Sequence, residues 1–257
     1  MRITTSIPAR TARPGDAEAN PAGRAPRCAA VPTASHPARV AQRAAISLDD
    51  VTSPTAPGRT PLVVMASGTG SLLESLIARG GAEDSPFRVA AIVVDRVCRA
   101  QEVAQRNEIP LITCRVADHA DRATWDRALT EQVAAIGPEW VVTAGFMKIL
   151  GPAFLGRFGG RVVNSHPALL PAFPGAHGVA EALDYGVKVT GATVHLVDEG
   201  VDTGPILAQQ VVTVDDDDTA DTLHERIKTV ERVLLADVVA ALVTRGVVID
   251  GRKARIP

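Results

Sequence analysis

Four short runs rich in Val, Ile, Leu and Ala, at Leu62–Ala66, Phe87–Val94, Leu111–Cys114 and Trp140–Thr143, constrain this chain more than any other feature. Runs of this length and β-branched content suit strands buried on both faces of a sheet. Between them apolar residues fall at helical spacing: Leu72, Leu73, Leu76 and Ile77 after the first run, and Trp125, Leu129, Val133 and Ile136 after the third. Asp95 is placed to cap a helix reaching about Arg106, and Gly137-Pro138 ends the next one. Strands alternating with helices predict an α/β fold, a doubly wound, mostly parallel, Rossmann-like sheet with helices on both faces.

The pattern continues with a short helix near Pro152–Phe158 and a strand ending at Val162-Val163. Val179–Leu183 reads as helical. Val187–Val197 and Pro205–Val214 read as strands, joined by a loop or hairpin over Asp198–Gly204. Leu223, Ile227, Val230, Leu234, Val238 and Leu242 mark one face of a long helix, with Asp218 or Thr219 as its cap. Val247–Pro257 is expected to form a short strand and a tail.

Residues 1–60 differ in kind. They hold eight of the eighteen prolines and eight arginines against four acidic residues, leaving 19 basic and 25 acidic residues in the remainder. Such a segment cannot build a core, so 1–60 is expected to be a disordered Pro/Ala/Arg-rich extension, or the product of a misplaced start codon, with one folded domain over 61–257. Its prolines break any amphipathic transit helix. With a formal net charge of −2, the whole chain offers no sign of a nucleic-acid surface. No apolar run approaches the roughly 18–20 residues needed to cross a bilayer. Cys28, Cys98 and Cys114 form no CxxC pair, which fits a reducing cytoplasm and argues against a thiolate metal site.

Two stretches carry chemistry. Ser67-Gly68-Thr69-Gly70-Ser71 lies between a strand and a helix, where backbone N–H groups and the helix N-terminus face an anion. It lacks the third glycine of a dinucleotide fingerprint and the lysine of a P-loop, so it could equally be a turn that binds nothing. Val163–Gly178 holds Asn164 and His166, followed by Pro167, Pro171 and Pro174. In an extended strand Asn164 and His166 share a side, while Ser165 points away. Three prolines make the following segment a rigid, irregular loop. An amide donor and an imidazole beside a carboxylate can stabilise an oxyanion and move a proton, and Asp202, at the end of the acidic 198–202 stretch, can supply the carboxylate. That set predicts acyl transfer by direct attack of an amine, without a protein nucleophile. His166, His177, His195 and Asp202 show no regular metal-ligand spacing, so no metal is expected. His195, mid-strand, is expected to brace the site from behind, and Asp215–Asp218 to be a solvated helix cap.

Asn164-Ser165-His166-Pro167 with Leu169-Leu170-Pro171, joined to Asp202-Thr203-Gly204-Pro205, resembles the 10-formyltetrahydrofolate-dependent formyltransferases. The resemblance runs from about Leu62 to the end of the long helix. Gly68-x-Gly70-Ser71, Ala144-Gly145-Phe146-Met147 and Glu231 make it similar to the glycinamide ribonucleotide branch of purine synthesis. It implies formyl transfer from 10-formyltetrahydrofolate to the amine of that ribonucleotide, with Asn164, His166 and Asp202 catalytic. It places the ribonucleotide on Gly70, Ser71, Leu72, Lys228 and Glu231. The folate falls on Arg122, on Met147, Lys148, Ile149 and Leu150, and on Asp198, Glu199, Gly200, Val201 and Asp202. Small-molecule substrates and a cytoplasmic monomer or homodimer are implied, with no nucleic acid or membrane. Thr69 and Leu72 stand where the family often has asparagines, and Lys148 where it commonly has arginine. Among relatives, a tRNA formyltransferase implies a further C-terminal domain and a basic surface, and a formyltetrahydrofolate hydrolase a folded regulatory domain in front. A sugar-nucleotide N-formyltransferase and a catalytically silent folate- or nucleotide-binding module complete the alternatives.

Overall fold

The structure, a computed structural model, describes residues 58–257. The extension expected over 1–60 therefore lies outside the described residues, apart from its last three positions. Thr60 already belongs to the first strand, because its N–H donates to the Pro86 carbonyl at 2.9 Å.

In chain order the elements are β1 (Thr60–Ala66), α1 (Ser71–Gly81), β2 (Phe87–Val94), α2 (Ala100–Arg106), β3 (Leu111–Thr113), α3 (Arg122–Ile136) and β4 (Trp140–Thr143). There follow α4 (Pro152–Phe158), β5 (Val162–His166), α5 (Gly178–Tyr185), β6 (Val189–Leu196), β7 (Ile206–Thr213), α6 (Ala220–Arg245), β8 (Val248–Asp250) and β9 (Lys253–Arg255). One nine-stranded sheet runs β3-β2-β1-β4-β5-β6-β7-β9-β8. The strands from β3 to β5 are parallel, as the buried apolar runs predict; β5–β6, β6–β7 and β8–β9 pair antiparallel.

Strand β1 shows why both faces are covered. Leu62, Val64 and Ala66 pack with Leu72, Leu76, Leu235 and Val239 of α1 and α6, whereas Val63 and Met65 pack with Trp125, Leu129 and Phe154 of α3 and α4. Two-residue alternation thus sends side chains from one strand into two cores. Helix α3 ends as expected, with Gly137 left-handed at φ 67°. The buried Asp126 carboxylate accepts from the N–H groups of Gly151 and Ala153 at 2.9 and 2.8 Å, holding the N-terminus of α4. Thr219, one of the two expected caps, heads α6.

Two expectations fail. Asp95 caps nothing: α2 starts at Ala100 after Arg99, and the Asp95 carboxylate is drawn instead to Arg96 and Lys148. The C-terminal strand and tail are a hairpin, β8–β9, whose Lys253 pairs in parallel with Ile206 of β7. Among the described residues, no helix is long and apolar enough to cross a membrane.

Candidate active site

Strand β5 runs three residues past the expected end and carries Asn164 and His166 within its ladder, opposite His195 and Thr193 of β6. Ser165, between them, donates to Glu231 Oε1 at 2.6 Å and so anchors the reverse face to α6. Alternation alone therefore separates the pair with chemistry from the residue that anchors.

The Asp202 carboxylate is the hub. Its Oδ2 lies 3.3 Å from His166 Nδ1 and accepts from the Gly175 N–H at 2.7 Å. Its Oδ1 lies 3.4 Å from Asn164 Nδ2 and 3.5 Å from His195 Nε2. Burial pushes this carboxyl up, but hydrogen bonds from His195 and Gly175 and the charge of the two imidazoles overcome burial and hold it below the ordinary aspartate value. Asp202 adopts φ 52°, a left-handed conformation rare for a residue with a side chain and typical of functional turns.

Each ring and amide has its orientation set. His166 is 3% exposed, and its Nε2 lies 2.7 Å from the Phe173 carbonyl. With an acceptor at each nitrogen, a ring donating from both satisfies both. His195 Nδ1 faces the Leu196 carbonyl at 2.9 Å, and its Nε2 lies 3.1 Å from Asn164 Nδ2 and 3.5 Å from Asp202 Oδ1. Thr143, ending β4, donates to Asn164 Oδ1 at 2.7 Å and fixes which end of the amide faces Asp202.

The loop after His166 is tied down by more than its prolines. Thr193 Oγ1 donates to Ala168 O at 2.6 Å and accepts from Leu170 N at 3.0 Å, and Gln209 donates to Leu170 O at 2.9 Å. Gly178, opening α5, is required by close approach. A Cβ there would lie 2.7 Å from the Phe173 carbonyl and 3.2 Å from His166 Nε2.

The ribonucleotide set divides. Gly70 is left-handed (φ 78°) at the head of α1, and Ser71 opens the helix, whose first N–H groups have no intrahelical partner. The Leu72 side chain is in the core, so only its backbone can meet a ligand. Lys228 is paired with Glu225 at 2.8 Å. Glu231 is 3% exposed, and burial raises its carboxyl against the pull of Ser165, Lys228 and Arg232. As placed, it braces β5 from beneath and does not present its carboxylate to solvent.

The folate set divides as well. Met147 and Ile149 expose 57% and 60% of their surface, whereas Leu150 is buried under α4 and Lys148 is held 3.1 Å from Asp95. Arg122 donates to Ile149 O at 2.6 Å and stacks over Trp125. The 198–202 turn closes on itself: Asp198 Oδ1 accepts from Gly200 N–H and from Thr203 Oγ1, at 3.1 and 2.6 Å. Val201 is half exposed beside it. Glu199 is exposed. Sequence reasoning missed Thr143, Gly175, the Phe173 carbonyl and the Ser165–Glu231 bond. Only Thr143, polar at the end of an apolar strand, carried a visible signal.

A parallel sheet whose β5 presents an amide and an imidazole to a carboxylate from the next hairpin matches the formyl transferase family, whose profile covers residues 61–239. The phosphoribosylglycinamide formyltransferase of Mycobacterium tuberculosis is 63% identical over 201 residues, covering 78% of this chain and 92% of that protein. Its Bacillus subtilis counterpart is 38% identical over 180 residues, covering 70% and 92%. Glycinamide ribonucleotide transformylase 1 from Symbiobacterium toebii superposes with a TM-score of 0.75 at 36% identity, over 77% of this chain and 94% of that one. The chain belongs to the formyl transferase family and, within it, to the phosphoribosylglycinamide formyltransferases.

Proposed function

We propose that the protein transfers a formyl group from 10-formyltetrahydrofolate directly to the primary amine of glycinamide ribonucleotide. The names of the relatives support the acceptor and the family supports the donor. The observation that carries the mechanism is the convergence of Asn164 and His166 on the Asp202 carboxylate, whose oxygens lie 3.4 Å from Asn164 Nδ2 and 3.3 Å from His166 Nδ1.

As the amine adds to the formyl carbonyl, negative charge grows on its oxygen. Asn164 Nδ2 is the donor that stabilises it, and the His166 ring, its N–H groups kept by Asp202 and the Phe173 carbonyl, adds its positive charge. The Asn164 amide turns one N–H from the long 3.4 Å contact with Asp202 toward the new charge. Asp202 holds the imidazolium and, through water, takes the proton that the attacking amine must lose. His195 keeps Asp202 and Asn164 in register. No side chain forms a covalent intermediate, since Ser165 faces away and is bound to Glu231.

Backbone N–H groups at Gly70, Ser71 and Leu72 suit a phosphate at the head of α1, with Lys228 as a cation for the ribonucleotide and Glu231 bracing the strand. Exposed Met147 and Ile149 offer apolar surface for the flat rings of the folate, beside the backbone of 198–202. Loss of formyl absorbance, followed with glycinamide ribonucleotide, with a sugar-nucleotide amine and with water alone, tests the reading. Rapid turnover with glycinamide ribonucleotide only is the expected result. Equal rates without an amine would reassign the protein as a hydrolase.

A further inference from the structure

Asp95 directly follows β2, and its side chain is fully buried although it carries a charge. A buried carboxylate without a purpose is costly, and this one gathers an unusual set of donors. Arg96 approaches with Nε at 3.2 and 3.3 Å from the two oxygens and with Nη2 at 3.0 Å. Lys148 Nζ lies 3.1 Å from Oδ2. Arg96, Ser67 and Lys148 overcome the burial of the carboxyl, so it is held below the ordinary value. An ionised carboxylate only accepts, so the hydroxyl hydrogen is what Ser67 can offer it. That leaves a Ser67 lone pair for the Met147 N–H, which donates to it at 2.8 Å. The Ser67 backbone N–H meanwhile donates to Gly145 O at 3.1 Å. Asp95 thus grips the 145–148 segment twice, through Ser67 to its backbone and directly at Lys148. From the far side Arg122 holds Ile149 O. Between these grips the side chains of Met147 and Ile149 are turned outward.

We propose that Asp95 is a positioning residue for co-substrate binding, presetting the Met147–Ile149 edge through Ser67 and Lys148. The inference rests on the reading of that edge as the folate groove.

Steady-state kinetics of Asp95→Asn, Ser67→Ala, Lys148→Met, Lys148→Arg and Met147→Asp test it. Asp95→Asn is expected to raise KM for 10-formyltetrahydrofolate about tenfold, the effect of losing roughly one charge-assisted bond, with kcat and the ribonucleotide KM unchanged. Ser67→Ala is expected to do the same to a smaller degree, and Lys148→Arg to restore much of what Lys148→Met loses. The Asp95→Asn/Lys148→Met pair is expected to be no worse than the more impaired single variant, because both break one contact. A fall in kcat with no change in folate KM, in variants that melt like the parent, overturns the proposal. If Met147→Asp raises folate KM while Asp95→Asn does not, the Asp95 inference fails alone. If Met147→Asp also leaves folate KM unchanged, the reading of the groove fails and the proposal with it.

Discussion

The Gly175 N–H and the Asp202 carboxylate, 27 residues apart in the chain, meet at 2.7 Å and join the proline loop to the β6–β7 hairpin. The bond makes Asp202 both an electrostatic partner of His166 and a clasp between the two segments that flank the ring. Removing its charge should therefore affect chemistry far more than folding. Asp202→Asn is expected to lose about 10²- to 10⁴-fold in kcat, the range for a positioned acid–base group, while remaining folded. Turnover within tenfold of the parent would show that the carboxylate is not part of the proton path.

The depressed Asp202 carboxyl also sets a pH signature. A carboxyl whose folded pKa lies below its unfolded value of about 3.9 stabilises the fold above that value and loses the contribution as pH falls through the folded one. The gap in melting temperature between the parent and Asp202→Asn should hold steady at neutral pH and close in acid, below about pH 4. A gap that widens on acidification would contradict the sign assigned here.

Glu231 should behave in the opposite sense, because burial raises its carboxyl. Such a group favours the fold at low pH and loses that contribution as pH rises through the raised value. Glu231→Gln is therefore expected to gain stability relative to the parent as pH rises from acid to alkaline. Its ribonucleotide KM separates two roles: an increase with unchanged melting marks direct contact with the ligand, whereas lower melting with unchanged KM marks the brace on Ser165.

Thr143 aligns the Asn164 amide from the neighbouring strand. Thr143→Val keeps shape and burial but releases the amide to rotate, which should cost about tenfold in kcat, against about 10²- to 10³-fold for Asn164→Ala. The double variant should match Asn164→Ala alone. Additive losses would mean that Thr143 works independently of Asn164.

Gly178→Ala adds one methyl group where the Phe173 carbonyl and His166 already crowd the backbone. The ring must shift to accept it. Lower kcat with a nearly unchanged far-ultraviolet spectrum is expected, and full activity would mean that the ring position is not critical.

Much of this was readable from residue order. The apolar runs located β1, β2, β3 and β4 within a residue or two because strands buried on both faces leave little room for polar atoms. The pairing of Asn164 with His166, and the exclusion of Ser165, followed from a period of two. Asp95 misled because a short acidic residue after a strand looks like a helix cap, and nothing local reveals that Lys148 will arrive 53 positions later. The hairpin at the C-terminus turns at Gly251-Arg252, and Gly251, left-handed at φ 58°, is the signal that a tail reading overlooks. Gly175 and the Phe173 carbonyl had no signature: backbone groups look alike in any sequence, and only the folded loop decides which of them faces the ring.

Strand β5 has to be right at single-residue resolution. With Asn164 and His166 on one side and Ser165 gripping α6 on the other, a slip of one position would turn the hydroxyl into the site and bury the amide and imidazole against the helix. Insertions or deletions between Val162 and His166 should consequently be ruinous, while the irregular turn that delivers Asp202 can absorb change in length provided its last residue still arrives. The proposed catalytic arrangement is thus written in strand parity, and variation among relatives is expected to accumulate around that stretch rather than within it.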